Sequence, residues 1–229
     1  MSSVDVQSVL DGLAPPAAGR GRPPALETRP LDPPPGRVLR AALVLDLARV
    51  PVPPRSRALL TGSTEGMGDV EAAVVRWTHA RLVALVRGLV GGEVRVAAFR
   101  PDAAGLTGLG PGLTPTGDDL LVGLAAMSRR LVGGGLLEPR SAVSFETTLA
   151  GLPAEATTPA ARALLEAASR GVFPVLLADF VEAFGGVDSG PDRLRLLAER
   201  LVAIGAHSGT DLLAGALALV TALVEQEKP

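Results

Sequence analysis

The residues of this 229-residue chain with types and spacing suited to chemistry fall in two short segments. The first is "LTGLGPGLTPTGDDLL", from Leu106, in which Thr114, Thr116, Asp118 and Asp119 follow Gly105, Gly108, Gly110 and Gly112. The second is "AHSGTDLLAG", which carries His207, Ser208, Gly209, Thr210 and Asp211. A glycine-rich loop presents unhindered backbone N–H groups, and a helix N-terminus adds about half a unit of positive charge. Two such mouths facing each other would suit a phosphate, sulfate or carboxylate. An aspartate beside a bound oxyanion is repulsive unless a cation lies between them. Asp118 therefore holds an ammonium or amide nitrogen of a substrate, holds Mg²⁺ bridging to the oxyanion, or only complements the helix dipole. Arg100, just before the loop, is the expected bidentate counter-charge for the anion. Asp118 or Asp119 would orient the nitrogen and accept its proton.

The two segments resemble each other. "TGDDLLVG" from Thr116 to Gly123 and "SGTDLLAG" from Ser208 to Gly215 agree in six of eight positions when Ser and Thr are treated alike. Thr116 with Asp119, and Ser208 with Asp211, each have capping-box spacing, a device that stabilises a helix start by about 1 kcal/mol. Gly123 and Gly215 are then expected where helices pack closely, since a mid-helix glycine otherwise costs about 1 kcal/mol relative to alanine. Capping leaves Asp118, Thr114, the glycine loop, His207 and Thr210 without a structural task, and these are the residues assigned to a ligand.

Three short apolar runs bounded by proline or glycine are expected as strands: Arg37 to Ala48, Arg57 to Gly62 and Glu93 to Arg100. A long helix is expected from Val70 to Val90, closed by Gly91 and Gly92, with an apolar face around Val74, Trp77 and Leu85. His79 on that helix reads as a structural histidine. Helices follow over Asp118 to Val132, Pro159 to Ser169, Pro174 to Ala183, Pro191 to Gly205 and Thr210 to Gln226. Pro159, Pro174 and Pro191 are well placed to open theirs. The expected fold class is α+β: a small N-terminal β-region with one long helix, then a mostly helical C-terminal half. Residues 1–37, rich in proline, form an arm or linker, and residues 38–229 a single domain.

Composition narrows the chemistry. An apolar fraction of 47% and a charged fraction of 20% are those of a globular protein. With 22 basic against 24 acidic residues, the charge of −2 offers no footprint for nucleic acid or an anionic membrane. Small molecules and partner proteins are the expected partners. Cysteine and tyrosine are absent and only His79 and His207 are present, so thiolate chemistry and a histidine metal cluster are excluded. No secretory signal is read at the start, and the apolar run from Leu212 to Val224 is expected as a core helix, which makes the cytoplasm the expected location. Neither dinucleotide-binding nor P-loop spacing is present, and no Gly-x-Ser-x-Gly elbow accompanies His207 and Ser208.

The motifs "GPGLTPTGDD" (Gly110 to Asp119) and "GAHSGTD" (Gly205 to Asp211) resemble those of a bacterial family known as a domain of unknown function, DUF2877. Its members carry G-x-G-L-T-P-S-G-D-D in mid-chain and G-H-S-S-G-T-D near the C-terminus. Here Thr116 replaces Ser, and Ala206-His207 stands where the family has His-Ser. The resemblance covers residues 38 to 226. Its best understood branch is a subunit of the oxamate carbamoyltransferase of allantoin breakdown, which interconverts oxamate and carbamoyl phosphate with oxalurate and phosphate. The resemblance implies an enzyme, or enzyme subunit, in which an amine or amide nitrogen attacks while a bound oxyanion departs, working with a partner protein and no obligatory cofactor. Two alternatives stand beside it. One is intramolecular amine cyclisation with loss of sulfate in an antibiotic pathway, and the other is a non-catalytic structural subunit.

Overall fold

A computed structural model describes residues 27–31, 40–185 and 191–225. Most of the arm expected over residues 1–37 lies outside them, as does the C-terminal tip. Ten α-helices are present among the described residues: α1 (Arg40–Arg49), α2 (Pro54–Thr61), α3 (Asp69–Val90), α4 (Val96–Leu106), α5 (Thr116–Gly133), α6 (Pro139–Ala150), α7 (Pro159–Ser169), α8 (Val175–Ala183), α9 (Pro191–Val202) and α10 (Ser208–Glu225). The sheet has two strands. β1 (Thr28–Pro30) pairs antiparallel with β2 (Val172–Pro174), setting Thr28 opposite Pro174 and Pro30 opposite Val172. Arg29 ties β1 down through Asp179 at 2.8 Å and Glu182 at 2.6 Å.

The protein is thus mostly helical, with a small two-stranded antiparallel sheet whose first strand lies near the N-terminus, but that sheet is not built from the three runs expected as strands. None of the three runs expected as strands is one among the described residues: α1, α2 and α4 take up most of them. A short apolar run does not distinguish a strand from a buried helix by periodicity, and the residues involved are rich in Ala, Leu and Arg, good helix formers. In α4 the buried residues Phe99, Ala103 and Leu106 follow helical spacing. Pro54, read as a strand-bounding proline, opens α2 at its first turn. The long helix expected over Val70 to Val90 is α3, with 22 residues, but it is not single: α5 and α10 have 18 each. Helix α6 lies in a stretch of Ser, Thr and Val that carries no clear helical signal. In α3 the apolar face is rotated from the one expected, because Leu82, Leu85 and Leu89 are buried while Val74 and Trp77 are exposed. The Arg81 guanidinium covers the Trp77 ring at 3.3 Å.

Helices α5 and α10 are the axis of the fold. They pack on each other more extensively than any other pair; α1, α2, α3 and α9 surround α10, and α4, α6, α7 and α8 surround α5. Helix α10 is long and apolar enough to cross a membrane by length and composition, but it is buried as the core of this fold. The crossing is reciprocal. A Cβ on Gly123 would sit 2.1 Å from Leu212 O, and one on Gly215 would sit 2.2 Å from Leu120 O. Backbone therefore rests on backbone, as expected of those two glycines.

The likeness of the two motifs extends to how each helix is entered. A Cβ on Gly117 would lie 1.8 Å from Leu106 O at the end of α4, and one on Gly209 would lie 1.9 Å from Leu201 O near the end of α9. The Gly117 amide donates to Leu109 O at 2.9 Å, and the Gly209 amide to Ile204 O at 3.1 Å. In both cases the acceptor is three residues beyond the carbonyl that presses on the glycine. The structure contains one design twice, with a longer loop (residues 107–115) in the first copy than in the second (203–207).

Candidate functional site

The paired design brings the two helix starts together. Thr114 Oγ1 and Ser208 Oγ share a hydrogen bond of 2.6 Å, although 94 positions separate them. Neither helix start is a capping box. Pro115 is the N-cap of α5 with no side-chain cap, and the Asp119 amide donates instead to Pro115 O at 3.1 Å. At α10 the Asp211 amide donates to His207 O at 3.0 Å, and Thr210 Oγ1 donates to the same carbonyl at 2.5 Å. The hydroxyls and carboxylates expected as caps are therefore directed elsewhere, because the backbone carbonyls ahead of each helix already take those amides.

Asp211 faces an arginine that sequence reasoning did not single out. Arg55 of α2 donates from Nε to Asp211 Oδ1 at 2.8 Å and from Nη2 to Asp211 Oδ2 at 3.2 Å, and also from Nη2 to Thr116 Oγ1 at 2.8 Å. One guanidinium thus bridges both motifs. Next to it, Ser56 Oγ donates to Thr210 O at 2.7 Å, which fixes α2 to the start of α10. Arg100 is not part of this cluster. It lies on α4 and donates from Nη2 to Gly151 O at 3.0 Å.

Asp118 and Asp119 are both 1% exposed but are used differently. Asp118 accepts from the Gly108 amide at 3.1 Å and from Thr157 Oγ1 at 2.6 Å, closing the glycine loop upon itself and upon the segment before α7. Thr158 Oγ1 donates to Leu113 O on the same loop. Burial raises the Asp118 carboxyl to about 6, against the pull of Thr157 and Gly108. Asp119 meets the hydroxyls of Ser208 and Thr114, and its Oδ2 makes no hydrogen bond. Burial pushes its carboxyl well above the usual carboxylate range. The hydroxyls of Ser208 and Thr114 oppose the shift, and the charges of Asp211 and Asp118 add to it. Burial thus raises both neighbouring carboxyls, each against a different set of hydrogen bonds.

The loop between α4 and α5 needs glycine where it turns. Gly108 (φ 72°) presses on Ala156 O, and Gly110 (φ 117°) folds against the Thr116 amide. Among the described residues the amides of Gly110, Gly112, Thr114 and Thr116 donate no hydrogen bond. Gly110 and Thr116 line a cleft of about 740 Å³ together with Arg55, Pro111, His207, Glu65 and Glu71. This is a typical volume for a small-molecule site. His207 is exposed at the rim, and Ser208, Gly209 and Thr210 begin α10 behind it. Of the residues expected at the site, the structure gathers the glycine loop, Thr114, Thr116, Asp118, Asp119 and the whole segment His207–Asp211, and leaves out Arg100. It adds Arg55, Thr157 and Thr158; only the position of Arg55 after two prolines, at a helix start, hinted at it. Among the described residues, no group of three or more His, Cys, Asp or Glu is arranged to hold a metal ion. His79, as expected, is structural: its Nδ1 lies 3.0 Å from Leu59 O.

The arrangement defines a class before it defines a family: a helical protein whose two like helix starts meet beside one cleft. The family model described as oxamate carbamoyltransferase subunit AllH matches residues 106–220, just over half of the chain and inclusive of both motifs. The chain belongs to that family. Comparison with curated proteins and with solved structures gives no match.

Proposed function

We propose that the protein is an enzyme subunit in which a substrate nitrogen attacks while a bound oxyanion departs, most like carbamoyl transfer of the oxamate type. The observation that carries this is the buried Asp119, its Oδ2 unpartnered, at the meeting point of two helix N-termini beside a cleft with unbonded amides. In such a reaction the amide nitrogen of oxamate attacks the carbonyl carbon of carbamoyl phosphate. The new C–N bond forms, the C–O bond to phosphate breaks, and phosphate leaves with the electron pair and takes up the nitrogen's proton. Donors set in place before reaction favour the charge that grows on oxygen. The amides of Gly110 and Thr116, which line the cleft and donate no hydrogen bond among the described residues, support this reading.

The environment of Asp119 favours its protonated form, so it acts as a hydrogen-bond donor or acid toward the oxygen that gains charge. Asp118, committed to Gly108 and Thr157, shapes the loop. The test is oxamate-dependent release of phosphate from carbamoyl phosphate by the chain together with its neighbouring gene products. Asp119→Asn should lower turnover on the order of 10²-fold or more. Full turnover in that variant would remove the acid role, and no oxamate-dependent release in any combination would remove the transfer reaction. Ring closure with sulfate loss is distinguished by sulfate release from an amino-sulfate ester.

One observation favours a second role, docking on a partner subunit. Val70, Val74 and Trp77 stand 80%, 43% and 51% exposed along one side of α3.

A further inference from the structure

We propose that Arg55 is the residue that grips the substrate's oxyanion, taking a small carboxylate or phosphate on its Nη1 edge in the cleft beside Gly110 and Thr116. The proposal rests on the oxyanion reading above and replaces Arg100 with Arg55 in it. Two of the three guanidinium nitrogens are occupied, Nε by Asp211 and Nη2 by Asp211 and Thr116. Among the described residues Nη1 donates to nothing, and Arg55 lines the cleft. A guanidinium fixed in this way presents its remaining N–H groups in a set direction and loses little further freedom when an anion arrives. Its backbone is equally fixed, by Pro54 at the first turn of α2 and by the bond from Ser56 to Thr210 O. Asp211, 1% exposed, is in these terms a positioning residue for Arg55.

The electrostatics select the kind of anion. Asp211 offsets one unit of charge on Arg55, so attraction comes from the outward N–H groups of Arg55 and from the positive ends of α5 and α10. Glu71 of α3 and Glu65, in the turn before it, line the same cleft. A polyanion meets repulsion there, whereas a molecule with one oxyanion end and one nitrogen end fits: the oxyanion on Arg55 and the loop amides, the nitrogen toward the glutamates. The substrate class is therefore a small nitrogen-bearing carboxylate, or a carbamoyl group carried on phosphate. The unpartnered Asp119 Oδ2, buried beside the Thr114–Ser208 bridge, is the deep polar group such a ligand would approach.

The test is calorimetric titration of the full chain with oxamate and, separately, with inorganic phosphate. Arg55→Gln should weaken binding at least tenfold, Arg55→Lys should also weaken it because the fork is lost, and Arg100→Gln should leave it unchanged. Arg55→Gln strands the Asp211 carboxylate, so the Arg55→Gln/Asp211→Asn double variant supplies a folded protein without the stranded charge. Loss of oxamate binding alone places the carboxylate on Arg55, and loss of phosphate binding alone places the phosphate there. Wild-type affinity for both anions in the Arg55 variants, or no measurable binding of either anion by the wild type, overturns the proposal. Arg55-dependent binding without any transfer activity supports this proposal and overturns only the transfer reaction.

Discussion

Gly215→Ala sets two physical effects against each other with opposite signs. On helix propensity alone the substitution stabilises an 18-residue helix by about 1 kcal/mol. The structure puts the new Cβ 2.2 Å from Leu120 O and 2.9 Å from Leu120 C and Cα, all of them backbone atoms of α5 that cannot swing aside. Reaching an ordinary contact distance of about 3.5 Å requires α5 and α10 to part by roughly 1 Å along their crossing. Overpacking of a close-packed core costs about 1–3 kcal/mol, and a contact with backbone belongs at the upper end. Setting about 3 against about 1 leaves a net destabilisation of about 2 kcal/mol, which for a chain of this size lowers Tm by roughly 4–8 °C. Gly123→Ala, with its Cβ 2.1 Å from Leu212 O, should behave alike. Thermal unfolding followed by circular dichroism reads both. An unchanged or raised Tm in either variant would refute the backbone-on-backbone crossing and, with it, the account of how the two helix starts are held together.

Three further outcomes are expected. The Asp118 carboxyl rises from its ordinary 3.8 to about 6 on folding, so its contribution is complete at low pH, where it is protonated in both states, and is lost as pH rises through 6. The loss is about 3 kcal/mol, and Tm measured between pH 4 and 7 should fall with rising pH; Asp118→Asn should flatten that slope in part, leaving the share of Asp119, Asp46 and Glu146, which are shifted the same way. Asp119→Asn should keep the wild-type stability within about 1 kcal/mol, since burial already disfavours the charged carboxylate, whereas Asp211→Asn weakens the ion pair with Arg55 and should cost about 1–3 kcal/mol; parallel melts of the two variants decide. Val70→Lys with Trp77→Lys should change stability by no more than about 0.5 kcal/mol per site, as both side chains are exposed, and should abolish co-purification with a partner subunit that docks on α3.

Apart from α6, the C-terminal half was legible because its helices carry their own punctuation. Pro159 and Pro191 open α7 and α9 as expected, and Pro174 directly precedes α8. The N-terminal half was not, because "RAALVLDLAR" and "PRSRALLT" are too short for period to be told from a strand. At the site, the two motifs and their meeting were readable from their likeness, and the glycines at 123 and 215 from the cost of glycine within a helix. The capping boxes failed because the Asp119 and Asp211 amides bond to the carbonyls of Pro115 and His207, which freed one carboxyl to keep an unpartnered oxygen and the other to bind an arginine. Arg55 could not be found from spacing. It lies far from both motifs in the chain and reaches them only because α2 packs against α10.

The doubled design has a further consequence in its unequal halves. Where the first copy carries Asp118, the second carries Thr210, and where the first has a long loop of glycines, the second has a short turn ending in His207. An identical pair would have offered a ligand two equivalent ways to lie across the junction. With the copies diverged, the two ends of a molecule meet different surroundings, so the seam between them has polarity: it can tell head from tail. A single chain has thereby gained what a symmetric dimer of one half could not provide, a fixed direction for whatever it holds.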